Sequence, residues 1–324
     1  MYMWRESVMC QSMKLDPEIA KGIALFPPLD LSDVHTARAI RAQMREAANI
    51  PRPTDDRITE VEKIIPRLDC ESTIPIRIYT PKERKGLFPG LVFFHGGGFV
   101  MGDLESTHPR CLRLSSDGNA VVVSVDYRLA PEHPFPAGIE DCYTALQWTA
   151  DHAEAIGVDP QKLAVGGVSA GGCLAAGVAL MARDREGPSI GFQLLIYPVL
   201  DDRLSTNSMH NGGDFPIWNS RNCRDMWYHY LKDSQEVVSP YAAPSRAQSL
   251  SRLPPAYIAI AEYDPLRDEA LQYAMRLLQA GVPVELHQYA GTVHGFDGLL
   301  PSQVSVQAAD ELVTVFRRFI STYT

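Results

Sequence analysis

The pentapeptide Gly167-Val168-Ser169-Ala170-Gly171 follows the apolar run Leu163-Ala164-Val165 and opens a stretch of small residues with helical character. A serine on a sharp turn between a strand and a helix presents its hydroxyl for attack on a carbonyl carbon, with the positive end of the helix beside it. Glycines at 167 and 171 keep side chains out of a turn where the chain folds back on itself. A serine in a glycine-rich turn is also a good helix N-cap, so the chemistry needs further partners.

One partner is His95-Gly96-Gly97-Gly98-Phe99, directly after the apolar run Leu91-Val92-Phe93-Phe94. Consecutive glycines let backbone N–H groups turn toward an incoming carbonyl oxygen, which is what an oxyanion hole requires. The N–H groups of Gly97, Gly98 and Ala170 are the expected donors. Together the two motifs point to acyl transfer through a covalent intermediate.

A serine also needs a base, and nine histidines compete. His294, in Gly291-Thr292-Val293-His294-Gly295-Phe296, lies just after the last expected strand and is the choice. His133 sits between prolines in a surface-like loop, and His95 is better read as part of the glycine turn. For the orienting carboxylate the choice is Asp264, in Glu262-Tyr263-Asp264-Pro265-Leu266-Arg267-Asp268, again after an expected strand. An Asp before Pro is equally a helix-start signal, and a loop leading from strand to helix serves both purposes. Glu262 and Asp268 are the weaker candidates.

These residues must be held by a scaffold. Strand-length apolar runs occur at Leu91 to His95, Ala120 to Val125, Leu163 to Gly167, Phe192 to Tyr197, Ala256 to Ala261 and Val284 to Tyr289. Being apolar on both faces, they suit a mostly parallel sheet covered on both sides. Helical stretches alternate with them at Ala137 to Ala150, Ala170 to Arg183, Leu266 to Ala280 and Val304 to Phe319, which makes the fold class α/β. Ile74 to Tyr79 is expected as an antiparallel edge strand. Two regions break the alternation: residues 1 to about 50, with an amphipathic stretch from Val34 to Ala48, and residues 202 to about 250, rich in aromatic and polar side chains. The expectation is a lid over the carboxyl ends of the strands, where open α/β sheets bind ligands, with Phe215, Trp218 and Trp227 near the site mouth and Phe99 beside the glycine turn.

The bulk numbers narrow the partners. Of the 324 residues, 45% are hydrophobic and 21% charged, the balance of a soluble globular protein. A net charge of −9 with scattered Lys and Arg argues against nucleic acid or anionic lipid, and for a neutral small-molecule substrate. Arg5 and Glu6 interrupt any signal-like apolar region, and no run reaches the ~18 apolar residues of a membrane span, so a cytoplasmic location is expected. Cys10, Cys70, Cys111, Cys142, Cys173 and Cys223 lie far apart without metal-ligand spacing, so free thiols and no metal or other cofactor are expected. The terminal strand Val284 to Tyr289 and the helix after it offer a homodimer edge.

The sequence resembles the hormone-sensitive-lipase-like group of α/β-hydrolases. The resemblance rests on His95-Gly96-Gly97-Gly98-Phe99, Tyr127-Arg128-Leu129-Ala130-Pro131-Glu132, the serine motif followed by Gly172, Tyr197-Pro198, Glu262 to Asp268, and His294-Gly295-Phe296. It implies the α/β-hydrolase fold with a helical cap: residues 51–324 as the catalytic domain, 1–50 as an N-terminal cap segment and 202–250 as a cap insertion. It also implies a serine carboxylesterase for short-chain or small apolar esters, and a structural role for the Tyr127 to Glu132 segment. The family's usual acid or threonine before the serine is Val168 here, which removes a group able to bond neighbouring loops. Amidase, lactonase, lyase or cyclase chemistry would use the same residues. A ligand receptor of this fold typically lacks part of the triad, whereas Ser169, Asp264 and His294 are all present.

Overall fold

The computed structural model describes residues 13–67, 72–83, 86–232, 237–298 and 302–322. Eight strands form one sheet: β1 (Ile58–Pro66), β2 (Thr73–Pro81), β3 (Phe88–Phe94), β4 (Val121–Val125), β5 (Val158–Val168), β6 (Phe192–Ile196), β7 (Ala256–Tyr263) and β8 (Val284–Val293). Their order is β1-β2-β4-β3-β5-β6-β7-β8. From β4 to β8 every pairing is parallel, and β1 and β2 are antiparallel. The central strands β4 and β6 are buried along their whole length, as runs such as Val121-Val122-Val123-Ser124-Val125 require when both faces are covered.

The expected edge position of Ile74 to Tyr79 is corrected by this topology. That segment is antiparallel, but β1 pairs with it on the outside along its full length. β1 is largely exposed and carries Glu60, Glu62 and Lys63 among its apolar residues, so only Ile58 and Ile65 are buried. Its weak apolar signal is that of a solvent-facing edge strand.

Helices cover both faces. α1 (Pro17–Ile23), α3 (His108–Ser116) and α10 (Gln303–Thr322) contribute Ile19, Cys111, Leu114, Phe316 and Phe319 to one core layer. α4 (Ala137–Asp151), α6 (Ala170–Asp184) and α9 (Arg267–Gln279) build the other, with the short α5 (Ala153–Ile156) leading into β5. In α6 every residue from Ala170 to Ala182 is buried, so it shows no polar stripe. Its small residues let it lie tightly between sheet and cap.

Helices α2 (Val34–Ala48), α7 (Asn207–Asn211) and α8 (Ser220–Leu231) come from the two irregular regions. α2 occupies the amphipathic stretch, with Asp33 capping it through the Thr36 N–H. The second region holds α7 and α8, the latter started by a reciprocal Asn219–Asn222 capping box. The two regions are stitched together: Asn222 donates to the Leu29 carbonyl at 2.8 Å, and His229 Nε2 lies 2.8 Å from that of Leu31. Arg38 on α2 reaches the carbonyls of Val100 and Ala130, in the loops after β3 and β4. α2 and α8 therefore sit against the loops that follow β3 and β4, whereas α1 packs in the layer with α3 and α10.

Candidate active site

Ser169 directly follows β5 and precedes α6, with φ 57° and ψ −117°. A non-glycine residue at this positive φ is strained and must be held by its surroundings. Its N–H donates to the Ile196 carbonyl at 2.9 Å, and its own carbonyl accepts from Val199 at 3.2 Å. The turn is closed by backbone contact, since a Cβ on Gly167 would collide with the Gly171 carbonyl, and one on Gly171 with that of Phe94. Val168 is buried, and its carbonyl packs against Gly96.

β7 and β8 end beside this turn and deliver Asp264 and His294. His294 Nδ1 is 2.7 Å from Asp264 Oδ2, and His294 Nε2 is 2.9 Å from Ser169 Oγ. A carboxylate only accepts, so Nδ1 carries the proton, Nε2 is left with its lone pair, and the Ser169 hydroxyl donates to it. All three residues are buried. The other oxygen of Asp264 accepts from the Leu266 N–H at 2.9 Å, so the carboxylate serves both the imidazole and the start of α9. The competing acids are engaged elsewhere. Glu262 accepts from the Gly291 N–H at 2.7 Å, and Asp268 from that of Ser208 at 2.7 Å.

Gly97 and Gly98 adopt φ of +122° and +61°, a backbone that side chains disfavour. The carbonyl of Gly97 accepts from Val100 and Met101, while the N–H groups of Gly97, Gly98 and Ala170 have no hydrogen-bond partner among the described residues. His95 is buried against Tyr127, with ring centroids 4.2 Å apart, and the Tyr127 hydroxyl donates to its carbonyl at 2.7 Å. Burial pushes the His95 pKa down to about 4, so the ring is a neutral brace for the glycine turn. Arg128 grips Asp141, as does Arg67. His133 is exposed.

The aromatic candidates separate. The Trp218 ring lies 5.6 Å from that of His294 and covers Gly98, where an added Cβ would be 2.8 Å from it. Phe99 stacks on Tyr230 at 3.8 Å and faces Trp227 at 5.8 Å, which ties the glycine turn to α8. Phe215 packs edge-on to Tyr263 at 6.0 Å. Only Trp218 among these four makes a ring contact with a residue of the Ser169–His294–Asp264 chain. Tyr197 makes another, edge-on to His294 at 4.8 Å. In the sequence Tyr197-Pro198 stands out only as a motif, because nothing local reveals which ring will face a histidine nearly a hundred positions away. Cys111, Cys142, Cys173 and Cys223 are free and buried, and Cys10 and Cys70 lie outside the described residues.

Comparison with known proteins identifies the family. The family model described as alpha/beta hydrolase fold matches residues 91–298. The chain is 41% identical over 288 residues to esterase LipI of Mycobacterium tuberculosis, covering 88% of each. It is 34% identical over 313 residues to an arylesterase of Saccharolobus solfataricus, covering 94% of this chain and 100% of that one. Among solved structures, one described as a bacterial heroin esterase superposes with a TM-score of 0.90 at 44% identity, covering 94% of this chain and 98% of the other. The chain belongs to the α/β-hydrolase fold family, in its hormone-sensitive-lipase-like branch. It is a carboxylesterase. No helix among the described residues is long and apolar enough to cross a membrane.

Proposed function

We propose that Ser169 is the nucleophile of this carboxylesterase, His294 its general base and Asp264 the residue that orients the base. The N–H groups of Gly97, Gly98 and Ala170 form the oxyanion hole. The observation that carries the reading is the unbroken run from Asp264 Oδ2 through His294 to Ser169 Oγ, at 2.7 and 2.9 Å. Ser169 Oγ bonds to the ester carbonyl carbon as its proton passes to His294 Nε2. The carbonyl oxygen takes up the displaced electron pair within reach of the three donors. The bond to the alcohol oxygen then breaks, and His294 returns the proton to that leaving group. Water repeats the sequence on the acyl-enzyme and releases the acid. No metal or organic cofactor takes part.

The substrates are small apolar esters with acyl chains of about two to six carbons, and turnover falls steeply beyond about ten. The support for this size is Trp218, seated on Gly98 and beside His294. Residues 1–50 and 202–250 act as the cap on a catalytic domain of residues 51–324, and Phe99, Phe215 and Trp227 shape the apolar wall behind Trp218. We place the enzyme in the cytoplasm, acting on dissolved esters, and take the outer edge of β8 as the face through which two copies pair.

The reading is tested with p-nitrophenyl butyrate. Ser169→Ala and His294→Ala should each lower kcat by several orders of magnitude with the far-UV spectrum and Tm unchanged. Wild-type turnover by a folded Ser169→Ala protein would overturn it.

A further inference from the structure

His294 sits on a short loop, and its hydrogen bond to Asp264 fixes only one ring nitrogen. Something else must set the plane of the ring and the height of the loop. The residue three positions on, Asp297, accepts from the Tyr197 hydroxyl at 2.7 Å through one carboxylate oxygen. Its other oxygen accepts from Arg110 of α3 at 2.6 Å. The Tyr197 ring stands edge-on to the His294 imidazole at 4.8 Å. Tyr197 is itself fixed, since it holds φ 34° and its N–H donates to the Ala259 carbonyl at 2.7 Å. The turn that carries it also carries Ile196 and Val199, the two residues that hydrogen-bond the backbone of Ser169. One turn thus holds the backbone of Ser169 and meets the ring of His294.

Neither charge is solvated well enough to be a surface decoration, with Asp297 and Arg110 side chains 9% and 17% exposed. Burial works against the Arg110 cation, yet Asp297 and Tyr197 together outweigh it and hold the pKa above its ordinary value. Packing leaves little room for adjustment, because the cavity beside Tyr197, Phe296 and Asp297 is about 10 Å³, barely one water.

We propose that Arg110, Asp297 and Tyr197 form a clamp that positions the His294 imidazole against Ser169, so that Tyr197 and Asp297 are positioning residues for acyl transfer. The inference rests on His294 being the base. Tyr197→Phe keeps the ring against His294 and removes only the hydroxyl's links to Asp297 and Arg110, while Asp297→Asn keeps an acceptor for Tyr197 and weakens the tie to Arg110. Displacement of a catalytic group by an ångström costs up to ~100-fold in rate, and a partial loosening correspondingly less.

Each variant should therefore lower kcat for p-nitrophenyl butyrate about tenfold, with KM within about twofold and a parallel fall in the rate of Ser169 phosphonylation. The double variant should be little worse than the poorer single one, because both break one device. Arg110→Lys, which keeps a cation, should retain more kcat than Arg110→Gln. Unchanged kcat in both folded single variants would overturn the clamp, as would losses that multiply in the double variant or that track Tm alone. Failure of the wild type to be phosphonylated at Ser169 would instead remove the base assignment on which the clamp depends.

Discussion

The indole N–H of Trp218 donates to Sγ of Cys223 at 3.1 Å, so the ring beside His294 is anchored by the helix that follows it. Cys223 is fully buried, and burial pushes its pKa well above the ordinary value, so the sulfur meets the indole as a neutral thiol. The same ring covers Gly98 and lies beside His294. Trp218→Ala should raise kcat/KM for p-nitrophenyl octanoate relative to butyrate about tenfold, the effect of about two newly buried methylenes at about 0.8 kcal/mol each. Cys223→Ala should shift the profile the same way by less. A chain-length series checks both, and an unchanged profile in Trp218→Ala would show that this ring does not limit the acyl pocket.

Asp264 is distinguished from its acidic neighbours by what its oxygens face. Asp264→Asn should lower kcat by about 10³–10⁴, because the amide favours the wrong imidazole tautomer. Glu262→Gln and Asp268→Asn should stay within about tenfold of the wild type, since their carboxylates hold Gly291 and Ser208 rather than the imidazole. Steady-state kinetics on the three proteins would expose a wrong assignment if their ranking were reversed.

Motifs that act through local backbone were legible in the sequence. The turns at Gly97 and Ser169 need glycine and announce it, and the strands preceding them are long buried apolar runs. The amphipathic stretch from Val34 to Ala48 coincides with α2, since caps and periodicity agree there. β1 was not legible, because a solvent-facing edge strand with alternating charges lacks an apolar run. Nor was α3 legible, with Pro109 and five polar or basic residues inside a nine-residue helix. Among the aromatics, type alone could not say that Trp218 would meet His294 while Phe99 and Trp227 pack on Tyr230, because tertiary packing decides that.

The buried Asp141 gives the Tyr127 to Glu132 segment its structural character. It accepts from Arg67, from the Arg128 side chain and from the Arg128 N–H, and its side chain is 1% exposed. Asp141→Ala would remove the buried carboxylate that both Arg67 and Arg128 grip and should cost about 3–5 kcal/mol of stability. The kcat of the protein that remains folded should change little. Urea unfolding and active-site titration together check this, and a stable variant with low kcat would move Asp141 into the catalytic machinery.

His95 makes stability depend on pH. Its folded pKa of about 4 lies below the ~6.5 of an unfolded chain, so between these values the unfolded state binds the extra proton. Stability from this group is present in full above about pH 6.5 and is lost as pH falls toward 4, by about 3 kcal/mol. Urea midpoints from pH 7 to 4.5 should fall accordingly, and less steeply in His95→Asn. Parallel slopes in the two proteins would assign the acid sensitivity to other groups.

The most direct test of the account is covalent capture of the nucleophile. The wild type is treated with a p-nitrophenyl alkylphosphonate, digested and mapped by mass spectrometry, with Ser169→Ala and His294→Ala alongside. The account predicts a single adduct on the peptide carrying Ser169, loss of esterase activity in step with its formation, no adduct in Ser169→Ala and a rate several orders of magnitude lower in His294→Ala. Inactivation with the adduct on another residue, or undiminished labelling in His294→Ala, would contradict it.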